Sequence, residues 1–281
     1  MRHYCTLFDS KYLPRGLVLY ESLREHSSEP FTLWILAMDT ACSAALHALV
    51  NVSNVNICDY ANDPAVVKCA DGRTWQEVCW TQASQLTEQI LTAYDVPEIT
   101  YLDADMMFFS DPEVIFKEIG RKSIAVIPHR FIPEKKYLEV NGRFNVSWVT
   151  FRNTPAGVEC LKIWAAQCRK RCSATYGCGD QLYLDEWPDK YGNEVHIIDN
   201  IGAGLAPWNL ANYHLHWDEY LRVDGQRVVF YHYHEFTELE DGNFRLTNYP
   251  LREEDIVLIY EPYLRAYQDV RTRIARLHLP S

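Results

Sequence analysis

The sequence predicts an α/β fold with a mixed, mostly parallel central sheet covered by helices. Strand-like and helix-like segments alternate through the first hundred residues, and a β-α-β-α-β order is what a helix-covered parallel sheet produces. The strand candidate "FTLWILAMD" carries bulky apolar residues on both faces, as a strand buried on both sides does. No repeat, low-complexity tract or Pro/Gly/Ser-rich linker divides the 281 residues, so they read as one domain with a less regular C-terminal half.

"HYCTLFD" (3–9) is the first strand, and "LPRGLVLYESLREH" follows with Leu17, Tyr20 and Leu23 at helical spacing. "FTLWILAMD" (31–39) is the second strand, and "TACSAALHALV" the next helix, with Thr40 as its expected N-cap. "VNICDY" is a short third strand, a helix is expected from Trp75 to Tyr94, and "ITYLDADMMFFSDP" (Ile99 to Pro112) reads as a fourth strand. In the second half, "SIAVIPH" (123–129) and "FNVSWVTF" (144–151) look like strands. "GVECLKIWAAQCRKR" and "GDQLYLDEW" look helical, and "RVVFYHYH" is a late strand. The tail sets Leu264, Tyr267, Ile274 and Leu277 against Arg265, Arg271, Arg273 and Arg276. A solvated terminal helix is expected there, with weak peripheral contact to an anionic membrane as the alternative.

A composition of 48% hydrophobic and 23% charged residues is that of a soluble globular protein. The net charge of −11 argues against a chain that grips nucleic acid through charge. An anionic substrate stays open, because one local cation outweighs a distant negative surface. "MRHYCTLFDS" lacks the roughly 7–15-residue apolar core of a signal peptide. No apolar run reaches the roughly 18–20 residues of a spanning helix. A cytoplasmic setting is therefore expected, and the "NVS" sequons at Asn51 and Asn145 read as chance matches. Nine scattered cysteines include no C-x-x-C pair, and Cys168, Cys172 and Cys178 are poorly spaced for structural zinc, so reduced thiols are expected.

The apolar run from Ile99 carries Asp103 and Asp105 in its middle. Burying a carboxylate is costly unless it is paired, protonated or metal-bound. Read as strand residues two apart, the pair shares one face at the C-terminal end of a parallel strand, where open α/β sheets place ligands. Two such acids repel unless a cation lies between them. Oxygen ligation of this kind suits Mg²⁺ or Mn²⁺ beside phosphate oxygens. A solvated strand end is the bland alternative.

These residues resemble the aspartate motif of GT-A glycosyltransferases, which use a nucleotide-sugar donor and a divalent cation. "CTLFDSKYLPRGLVLYESL" is similar to the first strand and helix of family 8 and allied bacterial transferases. "FNVSWVTFRN" resembles their strand with a donor-facing Asn, "YGCGDQLYLDEWP" their D-Q helix start, and "FYHYHEF" their late metal-binding His. The resemblance implies a Rossmann-like GT-A domain over 1–281, with a nucleotide-binding half at 1–110. Residues 111–281 would form an acceptor-side half and C-terminal helix. It implies a bacterial, Mn²⁺- or Mg²⁺-dependent hexosyltransferase-like enzyme that moves a sugar from a nucleotide-sugar, expected to be a UDP-sugar, to a glycan or other hydroxyl acceptor with retention. On this resemblance Asp9 contacts uracil or ribose with backbone help from Thr6 and Leu7. Asp103, Ala104 and Asp105 form the donor- and metal-binding stretch. Asn145 and Asp180 orient the sugar, Gln181 lies beneath the anomeric carbon, and His232 completes the metal shell.

Three departures stand out. Glu235 follows "HYH" and the family's Lys-Pro-Trp is absent, so His234 stays an alternative ligand and the phosphate clamp is unassigned. Ser147 stands where the Asn strand usually has Gly. Asp180 also reads as a helix N-cap, Arg130 as either a donor contact or a surface partner, and "GAGLAPWNL" as either a ligand-facing turn with a stacking Trp208 or a tight turn with a core Trp. Two other classes carry similar features. One is a haloacid-dehalogenase-type phosphotransferase, whose Asp-x-Asp follows the first strand and continues Gly-Thr. The other is a non-catalytic nucleotide-sugar or glycan binder on the same scaffold.

Overall fold

The computed structural model describes residues 1–50, 52–61, 72–175 and 179–277. The first half alternates β1 (Arg2–Phe8), α1 (Leu13–His26), β2 (Phe31–Ala37), α2 (Thr40–Leu49), β3 (Val55–Asp59), α3 (Trp75–Ala93) and β4 (Glu98–Leu102). Local chemistry sets the helix starts. Pro14 lies in the first turn of α1, where its fixed φ fits and its missing N–H is harmless. α3 begins at a capping box, in which Thr74 accepts the Glu77 N–H and Glu77 accepts the Thr74 N–H. The cap of α2 is Asp39, not the expected Thr40. Asp39 is extended at φ −143° and its carboxylate accepts the Cys42 N–H at 2.7 Å, while Thr40 is already helical.

The expected fourth strand from 99 to 112 is broken. β4 ends at Leu102, the chain turns through Asp103, Ala104 and Asp105, and β5 (Met106–Phe108) resumes in a different sheet. Aspartates favour such turns because they disfavour continued strand pairing. α4 (Glu113–Ile119), β6 (Ile124–Pro128), a 3₁₀ segment (Pro133–Asn141), β7 (Phe144–Arg152) and α5 (Pro155–Lys170) follow. "DQLYLDE" is not α-helical as expected: Gln181–Glu186 is a 3₁₀ turn, and only α6 (Trp187–Tyr191) is α-helix before β8 (Val195–Ile197). β9 (Leu215–Trp217), β10 (Leu221–Val223) and β11 (Gln226–Arg227) make a small sheet. The expected long strand at "RVVFYHYH" shrinks to β12 (Phe230–His232), which pairs antiparallel with β5. Beyond β13 (Thr237–Glu238), β14 (Phe244–Arg245) and α7 (Glu253–Asp255), a π-turn at 256–260 leads into α8 (Glu261–Ala275).

The main sheet runs β3-β2-β1-β4-β7-β6-β8, with β7 antiparallel to both neighbours and the remaining pairs parallel. One face is covered by α3, α5 and α6 through Leu86, Ile90, Trp164 and Trp187. The other is covered by α1, α2 and α8 through Leu17, Leu23, Leu46 and Tyr263. Fully burying each such side chain stabilises the fold by about 1.5–3 kcal/mol. The expectation of a solvated C-terminal helix fails. Tyr263, Tyr267 and Val270 of α8 are buried, and Arg273 and Arg271 pair with Glu21 and Glu238 at 2.6 and 2.7 Å. Its apolar stripe is thus spent inside the protein. Among the described residues, no helix is long and apolar enough to cross a membrane.

The topology opens a crevice beside β1. Strands β1 and β4 register only at Tyr4↔Thr100 and Cys5↔Tyr101, while β1 continues to Phe8 paired with β2 alone. Strand order changes direction here, which is where open α/β sheets bind ligands.

Candidate active site

A cleft of about 530 Å³ occupies that crevice. Its walls are the end of β1 (Leu7, Phe8) with Asp9 just beyond it, Tyr12, the first turns of α3 (Trp75, Gln76, Cys79, Trp80), the turn after β4, Asn145 and Val146 of β7, Asp180 and Gln181, and His232, His234 and Glu235. Five lining residues are carboxylates (Asp9, Asp103, Asp105, Asp180, Glu235), and none of the described lining residues is Lys or Arg.

Asp103, Asp105 and His232 converge there, each offering a ligand atom within 4.8 Å of the others. The pleat of one strand does not align the two acids. The β5–β12 ribbon does the work by pairing His232 with Met106, and the Tyr233 N–H bonds the Asp105 carbonyl at 2.8 Å. His232 Nε2 stands 3.0 Å from Asp105 Oδ1 and 3.9 Å from Asp103 Oδ2. Burial and the neighbouring Asp105 push the Asp103 carboxyl up, with the facing His232 opposing them. For Asp105, burial is outweighed by the charge and hydrogen bond of His232, and its pKa falls. The Asp103 side chain keeps 28% of its surface exposed, so it lines a wall rather than the core. Two carboxylates and an imidazole form a hard, largely oxygen set of the kind Mg²⁺ and Mn²⁺ accept. The residues therefore fit a divalent cation. His232 Nδ1 is buried without a hydrogen-bond partner, and its ring is held instead edge-on against Trp208.

Asn145 owes its position to a bulge. Val126 of β6 faces Val149 while the next residue, Ile127, faces Asn145, so Val146, Ser147 and Trp148 have no partner on β6, although Trp148 still pairs with Leu102 of β4. Such irregularities re-aim side chains beside sites. The Asn145 Oδ1 accepts the Ser147 N–H at 3.0 Å within the bulge, and the Ser147 carbonyl accepts the Asp103 N–H at 3.3 Å. Asn145 Nδ2 lies 3.2 Å from His129 Nε2 and 3.5 Å from Gln181 Oε1, while Gln181 Nε2 donates to the Asn141 carbonyl at 2.8 Å. Burial lowers His129 to about 3, so it is neutral, and Nε2 accepts from Asn145. Asn145 is 9% exposed inside β7, a placement no glycan acceptor site takes; Asn51 lies outside the described residues.

Asp180 is buried, makes no capping hydrogen bond, and anchors Trp164 through its carbonyl at 2.9 Å. Burial, then Cys172 and Asp103, push its carboxyl well above the usual range. Asp9 accepts the Lys11 and Tyr12 N–H groups on Oδ1 and the Trp75 indole N–H on Oδ2 at 2.9 Å. Leu7 and Ala104 also line the cleft, whereas Thr6, fully buried one residue earlier, does not. His234 lines it beside His232.

The structure decides several paired readings and agrees with the expected reduced thiols. Arg130 does not line the cleft: it is half-buried at φ +53° and its guanidinium donates to the carbonyls of Asn200 and Ala203. Gly204 serves packing, since at φ +72° a Cβ there would meet Ile127 at 2.4 Å. Trp208 is a core residue, 4% exposed, donating to the His129 carbonyl at 2.9 Å. Cys168 and Cys172 are free buried thiols, and Cys178 lies outside the described residues. Asp103 follows the fourth strand rather than the first, which is not the haloacid-dehalogenase arrangement. Sequence reasoning missed Arg15, His129 and Trp75. Arg15 is buried, donates to the Phe236 carbonyl at 2.8 Å, and extends its charge toward Asp105.

No protein-family model matches the sequence. The chain is 30% identical over 276 residues to the uncharacterized protein YfnD of Bacillus subtilis (strain 168), covering 93% of this chain and 87% of that protein. The chain belongs to the YfnD family. The uncharacterized YfnF of the same organism is 28% identical over 247 residues, covering 82% and 80%. Among solved structures, galactosyltransferase LgtC in complex with donor and acceptor sugar analogs superposes with a TM-score of 0.59 at 16% identity, over 95% of each chain. Mouse xyloside xylosyltransferase 1 superposes at 0.51 and 12% identity, over 82% of this chain and 97% of that one. These likenesses establish the GT-A fold for this member of the family.

Proposed function

We propose that this protein is a divalent-metal-dependent glycosyltransferase that moves a sugar from a nucleotide-sugar, a UDP-sugar in the first instance, to an acceptor hydroxyl. The observation that carries the proposal is the charge of the cleft: five carboxylates, two histidines and, among the described lining residues, no Lys or Arg. A diphosphate cannot approach such a wall unaided, because like charges across a low-dielectric gap repel strongly. Mn²⁺ or Mg²⁺ held by Asp103, Asp105 and His232 would supply Lewis-acid stabilisation of the leaving diphosphate. His234, in the same wall, is the alternative third ligand.

The residues of the chain do the rest. Asp9, with the backbone around Thr6 and Leu7, holds the nucleoside end. Asn145, locked by Ser147, His129 and Gln181, presents a fixed amide toward the sugar. Asp180, whose carboxyl burial pushes up, orients the sugar and is a poor nucleophile because burial disfavours its charged form. Retention then follows a same-face route. The bond from the anomeric carbon to the phosphate oxygen breaks, the acceptor oxygen bonds to that carbon above Gln181, and the acceptor proton passes to the leaving phosphate. Positioning and charge stabilisation supply most of the acceleration. The chain would act as one domain, residues 1–110 holding the nucleotide and 111–281 the acceptor, in a bacterial cytoplasmic setting.

The test is Mn²⁺-dependent hydrolysis or transfer from a UDP-, GDP-, CMP- and dTDP-sugar panel, first ranked by thermal shift. Asp103→Ala or Asp105→Ala should lower turnover by at least about 100-fold with the protein still folded. Full turnover in either variant defeats the mechanism. Donor binding without turnover across an acceptor panel would favour the non-catalytic binder instead.

A further inference from the structure

The strands give the cleft a linear order. Asp9 follows β1, Asp103 and Asp105 follow the adjacent β4, and Asn145 lies on β7, the strand beyond. A nucleotide-sugar has the same sequence of parts: base and ribose, diphosphate, sugar. The β1 end is therefore the nucleoside end.

At that end the first turns of α3 turn Trp75, Gln76, Cys79 and Trp80 toward the cleft, the i, i+1, i+4, i+5 face of a helix. Trp75 is 45% exposed, which is unusual for the largest side chain when its polar atom is already satisfied. Its ring is nonetheless fixed. The indole N–H is tied to Asp9 Oδ2 at 2.9 Å, and Tyr60 meets the ring edge-on at 6.1 Å. A rigid aromatic plane, half bare, beside an acceptor carboxylate is what stacking of a flat heterocycle requires.

We propose that Trp75 is the stacking platform for the donor nucleobase, aligned by its hydrogen bond to Asp9. The inference rests on the nucleotide-sugar reading and extends it to a residue outside the metal corner. The alignment also accounts for why a helix N-terminal turn carries an exposed Trp against the acid-rich wall.

The experiment titrates UDP and GDP, each with Mn²⁺, into the full chain and its Trp75→Ala and Trp75→Phe variants. Inorganic pyrophosphate with Mn²⁺ serves as the base-free probe, and melting temperature as the check on folding. Trp75→Ala should weaken the tighter nucleotide by about 5- to 100-fold. Trp75→Phe, which keeps a stacking ring, should stay within about threefold of wild type. Pyrophosphate affinity should not change in either. The inference is overturned if Trp75→Ala binds nucleotide as tightly as wild type, or if it loses nucleotide and pyrophosphate equally. If wild type binds pyrophosphate but neither nucleotide more tightly, the nucleotide-sugar reading itself fails and takes the platform with it.

Discussion

At Asp39 and Glu77, at the starts of two helices, backbone N–H groups outweigh burial, whereas at Asp103 and Asp180 in the cleft wall burial wins, even though Asp180 accepts its own and the Gln181 N–H. At Asp39, burial opposes the charge, yet the N–H groups of Ser10 and Cys42 outweigh it and lower the pKa. The N–H groups of Thr74 and Ala174 hold Glu77 near 2. Burial dominates instead at Asp103 and Asp180, and both carboxyls rise. Hydrogen bonds of the fold offset burial at the first pair and not at the second. Carboxylates of identical chemistry thus separate into those that hold the scaffold and those that line the cleft.

That contrast can be broken by paired substitutions. Asp39→Ala removes a filled cap and should destabilise the protein by about 0.5–2 kcal/mol, a fall in melting temperature of about 2–4 °C per kcal/mol. Asp103→Asn removes one of two facing acids and, without metal, should leave the melting temperature unchanged or slightly raised. Calorimetry of the two variants checks the sign, and equal losses would erase the distinction between the two pairs. A smaller effect comes from acid. Because the folded pKa of Glu77 lies below its ordinary 4.5, its contribution is fully present above 4.5 and is lost as pH falls from 4.5 toward about 2. The melting-temperature gap between wild type and Glu77→Gln should therefore close over that window, and a gap constant with pH would show that the cap, not the charge, matters.

Legibility in the sequence followed the same divide. The regular half, β1 to β4, was readable because period and apolar runs report directly on a covered parallel sheet, and Asp39 displaced Thr40 as the α2 cap by only one residue. The acids were legible as an anomaly, although their convergence was ascribed to the wrong geometry. A turn after Leu102 and a ribbon between β5 and β12 bring them to His232, and a long-range pairing of three-residue strands leaves no periodic trace. The bulge that places Asn145 opposite Ile127 and beside His129 is equally silent in the sequence. Trp75 was seen only as the first residue of a helix, since its bond to Asp9 joins residues distant in the chain.

The central claim is that Asp103, Asp105 and His232 trap a dication that in turn holds a diphosphate. Isothermal titration of UDP into wild type and Asp105→Ala, each with and without Mn²⁺, tests it most directly. Mn²⁺ should tighten UDP binding to wild type by about 10- to 100-fold and give the variant no such gain. UDP binding of equal strength without Mn²⁺, or a full Mn²⁺ gain in Asp105→Ala, would contradict the account.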